Sequence, residues 1–306
     1  MRHRLPLVVV LLCAASGSCK PVPPAAPAPA AAAAAASATT WRYADERRAA
    51  EQAVASAKAV ITQGPLVWPQ WQTLAETELA LAKLTGDYRA YTAAEQAIEQ
   101  AFALAAASGP RQGPFALRAR FHFSVHRLDA VEADLAQAAR ETTADTAAIT
   151  GLRADLAFAR GQHAAALAGF REALRQREDL MGLVRLALWH ARSGHVSEAM
   201  ALLDRAAVID HGDSPYPRAW LALQRGLVQL DLGQWELALA HYHDALRLLP
   251  DWWLAREHIA EIHALKREYD QAIALYTAVI ADTGQPEFMD ALAGVLIERG
   301  ESEAAQ

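Results

Sequence analysis

The chain has 306 residues, is 53% hydrophobic and carries a formal net charge of −6, enough length for one large domain or two ordinary ones. Residues 1–40 contain Arg2, Arg4 and Lys20 and no acid, so the remainder holds 26 bases against 35 acids, a net −9; a nucleic-acid binder needs a basic face, and that class is set aside. Both cysteines, Cys13 and Cys19, fall in the first twenty residues, which leaves the body without a disulfide framework, a thiol nucleophile or a thiolate metal site.

Chain order begins with an address. "MRHRLPLVVVLLCAASGSCK" places two arginines before an apolar run from Leu5 to Ala15 and then small residues, the layout of a secretory signal peptide and too short an apolar run for a membrane-spanning helix. Gly17 and Ser18 before Cys19 resemble the site at which bacterial lipoproteins are acylated, although Ser16 stands where leucine is usual. The resemblance implies Cys19 as the lipid attachment point, with residues 1–19 as signal; ordinary cleavage within "AASGS", giving a soluble periplasmic or secreted protein, is the alternative. Residues 20–40, "KPVPPAAPAPAAAAAAASATT", are Pro/Ala-rich and extended at their front, suited to a tether rather than a core.

Residues 41–63 read as a leading helix, broken by "QGPLVWPQ" at Gln63 to Gln70. Thereafter one unit recurs: "GQHAAALAGFREAL" from Gly161, "GHVSEAMALLDRAA" from Gly194, "GQWELALAHYHDAL" from Gly233 and "REYDQAIALYTAVI" from Arg267. Five residues after each start stand Ala166, Ala199, Ala238 and Ala272. Nine after stand Phe170, Leu203, Tyr242 and Tyr276, and twelve after stand Ala173, Ala206, Ala245 and Val279. Offsets differing by four and three put all of them on one helix face, where alanine admits a neighbouring helix and the larger residue fills the space beside it. Glycine at the start can take the left-handed conformation that ends one helix and begins the next. Val131, Leu135 and Ala138 repeat the set further upstream, as do Ala94, Ile98 and Ala101 after Gly86 once three residues are inserted.

These sets, with a small residue seven before each turn (Ala154, Ala187, Gly226, Ala260) and Pro250 closing a unit, resemble the tetratricopeptide repeat family, whose unit is about 34 residues. The resemblance implies an all-α, right-handed α-solenoid of stacked antiparallel helix hairpins over residues 41–306. It implies about five to six units, the last incomplete after "ERGESEAAQ", as in a fragment. Gln229 and Arg225 occupy usually apolar positions, so the helix from Trp220 to Leu230 is either rotated or unusually apolar on its inner surface.

Chemistry finds little purchase. His241 and His243 are two apart, about 200° around a helix, and cannot share one ion. His258 and Glu261 are i,i+3 and read as a surface ion pair, while His263 points elsewhere; no i,i+4 histidine pair exists there for zinc. No phosphate loop or nucleophile elbow appears. The chain is therefore read as a non-enzyme without metal, cofactor or evident small-molecule substrate. What remains is binding of a protein or peptide on the concave face formed by the first helices. On the family register that face offers Met181, Val184, Leu188, Trp220, Leu223, Leu227 and Glu257, an apolar groove for a peptide segment or helix. A register error of one residue would turn Leu223, Leu227 and Trp220 into core, and Trp252 and Trp253 read as packing residues at a unit junction. The expectation is an exported scaffold, held to the bacterial envelope by a lipid on Cys19 and touching the membrane only through it. The alternative is an accessory module of a larger enzyme or of a secretion or assembly machine.

Overall fold

A computed structural model describes residues 41–301 except 108, 110–111, 142–144 and 210–211; the proposed signal, Cys19 and tether lie outside the described residues. Among the described residues there are fourteen α-helices and no strand. A leading helix α1 (Tyr43–Gln63) precedes six antiparallel hairpins. These pair α2 (Trp68–Thr85) with α3 (Tyr88–Ala106), α4 (Phe115–Ser124) with α5 (Leu128–Ala138), and α6 (Thr146–Ala159) with α7 (His163–Gln176). The chain continues with α8 (Leu180–Arg192) and α9 (Val196–Ala207), α10 (Tyr216–Asp231) and α11 (Trp235–Leu248), α12 (Trp253–Leu265) and α13 (Tyr269–Thr283), then α14 (Pro286–Arg299). None of these helices is long and apolar enough to cross a membrane.

The recurring alanines and large side chains do the stacking. Ala166, Ala199, Ala238 and Ala272 are wholly enclosed, as are Leu203 and Tyr242, and Phe170 and Tyr276 nearly so. The fit is close enough to need small residues opposite: a Cβ on Gly226 would come within 2.6 Å of Tyr242 Cδ1, and one on Gly169 within 2.7 Å of Ala154 Cβ. Small residues seven before the turn thus let each second helix lie against its own first helix.

One turn is used repeatedly. The amide three residues past the end of the first helix donates to the carbonyl five residues back: Arg127 to His122, Gln162 to Ala157, His195 to His190, Gln234 to Gln229 and Glu268 to His263, at 2.8–2.9 Å. This closure requires a left-handed residue just before the donor. Gly161, Gly194 and Gly233 supply it, whereas in two hairpins His126 (φ 57°) and Arg267 (φ 62°) adopt it despite their side chains.

The arc returns on itself, a feature with no local signature in the sequence. The Tyr43 amide donates to the Pro250 carbonyl at 3.0 Å, and Arg42 pairs with Asp251. Trp253 Nε1 donates to the Leu84 carbonyl at 3.0 Å, Tyr88 Oη to Glu287 at 2.9 Å, and Ser214 Oγ to Glu46 at 2.9 Å. Tyr43 and Leu84 share one apolar cluster with Tyr216, Trp252 and Trp253. Helix α1 and the α2–α3 hairpin are therefore docked onto the last two hairpins and α14.

Candidate functional site: the inner face of the first helices

Counting back from each turn residue, the positions ten, nine and six earlier fall on one stripe of each first helix. They are Gly151, Leu152 and Asp155 on α6; Val184, Arg185 and Leu188 on α8; Leu223, Gln224 and Leu227 on α10; and Glu257, His258 and Glu261 on α12. Neighbouring stripes touch. Arg185 Nε donates to Asp155 at 2.8 Å, with both side chains buried, and its guanidinium lies over Gly151, where a Cβ would come within 2.7 Å of Nη1. Burial holds the Asp155 carboxyl above its ordinary range, more strongly than Arg185 pulls it down.

Of the seven residues expected to line a groove, Val184, Trp220 and Leu223 are enclosed (2% exposed or less) and Met181 is nearly so; all four belong to the main apolar cluster. Leu188 and Leu227 pack at its edge and are half-buried, and Glu257 is partly exposed. The structure thus brings the six apolar residues into one cluster, with Leu188 and Leu227 at its edge and Glu257 only 15% exposed. Helix α10 accommodates its polar residues without rotating: Gln229 is buried with its amide toward Met200, and Arg225 reaches Asp204 at 2.8 Å.

The histidines divide as their spacing predicts, with one correction. His243 is exposed, His241 is half-buried with its pKa lowered by burial, and Tyr242 between them fills the core. His263 turns away to Glu268 at 2.6 Å. His258 and Glu261 do meet, as a pair with only one member at the surface: the Glu261 side chain is 43% exposed. His258 Nδ1 lies 3.1 Å from Glu257 and 3.5 Å from Glu261, and the side chains of His258 and Glu257 are each only 15% exposed. The His258 ring stacks on Tyr242 at 5.2 Å and 19°. Burial lifts the Glu257 carboxyl above its usual range. It pushes His258 down, but the two carboxylates overcome it and hold the imidazole above its ordinary value. Spacing had joined only His258 and Glu261, because adjacent helix residues do not ordinarily face each other. Glu257 joins them because it is i,i+4 to Glu261.

The crystal structure of PilW, described as a widely conserved type IV pilus biogenesis factor, is similar to this chain. The identity is 18% and the TM-score 0.51, covering 62% of this chain and 87% of PilW. The fold is a tetratricopeptide-like α-solenoid. Fainter likenesses are to PilF of Pseudomonas aeruginosa (19% identity, TM-score 0.47, 62% of this chain and 86% of that one) and to the Cut9–Hcn1 hetero-tetramer of the APC/C (15%, 0.46, 86% and 56%). No protein-family model and no curated protein matches the sequence.

Proposed function

We propose that this tetratricopeptide-like solenoid is a non-catalytic interaction scaffold. It is exported and lipid-anchored through Cys19, and it takes a peptide segment or helix of a partner protein on the inner face of its first helices. The observation that carries the reading is the repeated inner stripe, on which half-buried Leu188 and Leu227 border the enclosed Val184 and Leu223. An apolar line edged by reachable side chains suits an extended or helical segment. The sequence of residues 1–40 supports the address: signal, acylation-like cysteine and Pro/Ala tether in that order. The anchor would enter the folded body at Tyr43, whose amide is bonded to Pro250, so a tether pulls on α1 and on the junction between the last two hairpins together.

Two experiments test the reading. Mass spectrometry of the mature N-terminus should find acyl groups on Cys19, and Cys19→Ala should move the protein from the membrane to the soluble fraction. A photo-reactive residue placed at Leu188 or Leu227 in living cells should cross-link one defined protein. The same residue at Val208, which is 84% exposed at the end of α9, should not. Unmodified Cys19 removes the anchor, and equal labelling from Val208 removes the groove.

A further inference from the structure

We propose that Glu257, His258 and Glu261, on one turn of α12, form a binding site for a single divalent first-row transition ion of the Zn²⁺ class. Their ligand atoms all lie within 4.8 Å of one another, and this is the one such group of three among the described residues. From His258 Nδ1 the two carboxylate oxygens are 3.1 and 3.5 Å away. A tetrahedral ion with bonds of about 2.0–2.1 Å needs donors about 3.3 Å apart, so the spacing already matches two edges of such a site. One imidazole and two carboxylates suit zinc or manganese better than a thiolate-seeking ion.

Charge makes the same point independently. Two carboxylates face a single imidazole, which balances at most one of them. Among the described residues no arginine or lysine pairs with Glu257 or Glu261. Arg256, next in sequence, is committed to Asp251 and Asp282, and Lys266 to Glu236 and Glu268. Partial burial of like charges is costly unless a cation is supplied. Beside them the Tyr242 hydroxyl is buried without a hydrogen-bond partner, on the ring that stacks against His258. It has a lone pair and a proton to offer a ligand atom or a water at the site. On binding, any proton on Nδ1 leaves to solvent as the ring lone pair turns to the ion. Three donors from the chain leave a fourth position for water or for a donor atom of a bound partner. The inference does not depend on the groove reading, although Glu257 belongs to both.

The test is titration of the tag-free full chain, stripped with chelator, with Zn²⁺ alone by calorimetry, and in parallel the variants Glu261→Gln, His258→Gln and Glu268→Gln. The expected result is one equivalent bound by the parent and by Glu268→Gln, with affinity at least ten-fold weaker in the other two. No saturable binding by the parent, or unchanged affinity in Glu261→Gln, overturns the proposal. Should those two variants not fold as the parent does, zinc-edge X-ray absorption on the unaltered chain decides. A shell of nitrogen and oxygen that includes one imidazole supports the site. Sulfur scattering, which would put the ion at Cys13 and Cys19, or a shell without imidazole, overturns it.

Discussion

Replacing Gly226 with alanine pits two effects of opposite sign against each other. Within a helix, alanine is favoured over glycine by about 1 kcal/mol. In α10, however, the new methyl would stand 2.6 Å from Tyr242 Cδ1 and 2.9 Å from Cζ, with Cε1 nearer still. The ring has little room to retreat, because it also stacks on His258 at 5.2 Å and the side chain is wholly enclosed. Forcing a methyl into a filled core costs roughly 1–3 kcal/mol, and a contact this short against a held ring belongs at the upper end. The net expectation for Gly226→Ala is a loss of about 1–2 kcal/mol. Gly294→Ala in α14 is the control: a Cβ there meets nothing within 4 Å, so it should gain up to about 1 kcal/mol. Urea unfolding followed by far-ultraviolet circular dichroism reads both. The pairing of Tyr242 with Gly226 is refuted if Gly226→Ala is as stable as the parent.

Three further outcomes are expected. Arg267→Gly should raise the melting temperature, since a left-handed non-glycine residue costs about 1–2 kcal/mol and the flexibility of glycine returns only roughly half of that to the unfolded chain; the exposed Arg267 side chain gives up little. A lower melting temperature would mean that the φ of 62° carries no strain. Tyr43→Ala should cost roughly 3–5 kcal/mol of local stability, by analogy with other buried aromatics, and should speed hydrogen exchange throughout α1 while α8 and α9 stay protected. Protection of α1 equal to the parent's would show that the docking contacts are idle. His190 is held below its ordinary value of 6.5, by burial first and by His195 second. A depressed folded-state value means that the unfolded chain binds the proton more readily, so stability is intact above pH 6.5 and is lost as pH falls below it. His190→Gln should therefore shrink the difference in urea midpoint between pH 7.5 and pH 5.5; an unchanged difference would acquit His190.

How much of this was readable in advance depends on how local the cause is. Ala238, Tyr242 and Ala245 announce themselves because residues four and three apart must share a helix face, and glycine at 161, 194 and 233 marks the turns for a backbone reason confined to one residue. Trp220 and Leu223 were ambiguous: one step of register separates a groove-lining residue from a core residue, and only the packing of neighbouring hairpins decides. They are enclosed, whereas Leu227 is not fully so. Trp252 and Trp253 were recognisable as packing residues, yet nothing near them named Leu84 and Tyr43 as partners, because that contact spans about two hundred residues and obeys no period. Glu257 was assigned to the inner face and His258 to a separate pair. Their convergence depends on side-chain directions around a single turn, which spacing alone does not give.

The central claim is that stacked hairpins carry the chain around until its first helices dock on its last. Spin labels at Arg89, whose side chain is 92% exposed beside the α2–α3 turn, and at Asp290 on α14 test it most directly, with Cys13 and Cys19 replaced by serine so that only those sites are labelled. The docked arrangement, in which neighbouring Tyr88 hydrogen-bonds Glu287, predicts a single short and narrow distance distribution by pulsed electron resonance. A long or broad distribution, unchanged when Tyr43 is replaced by alanine, would contradict it.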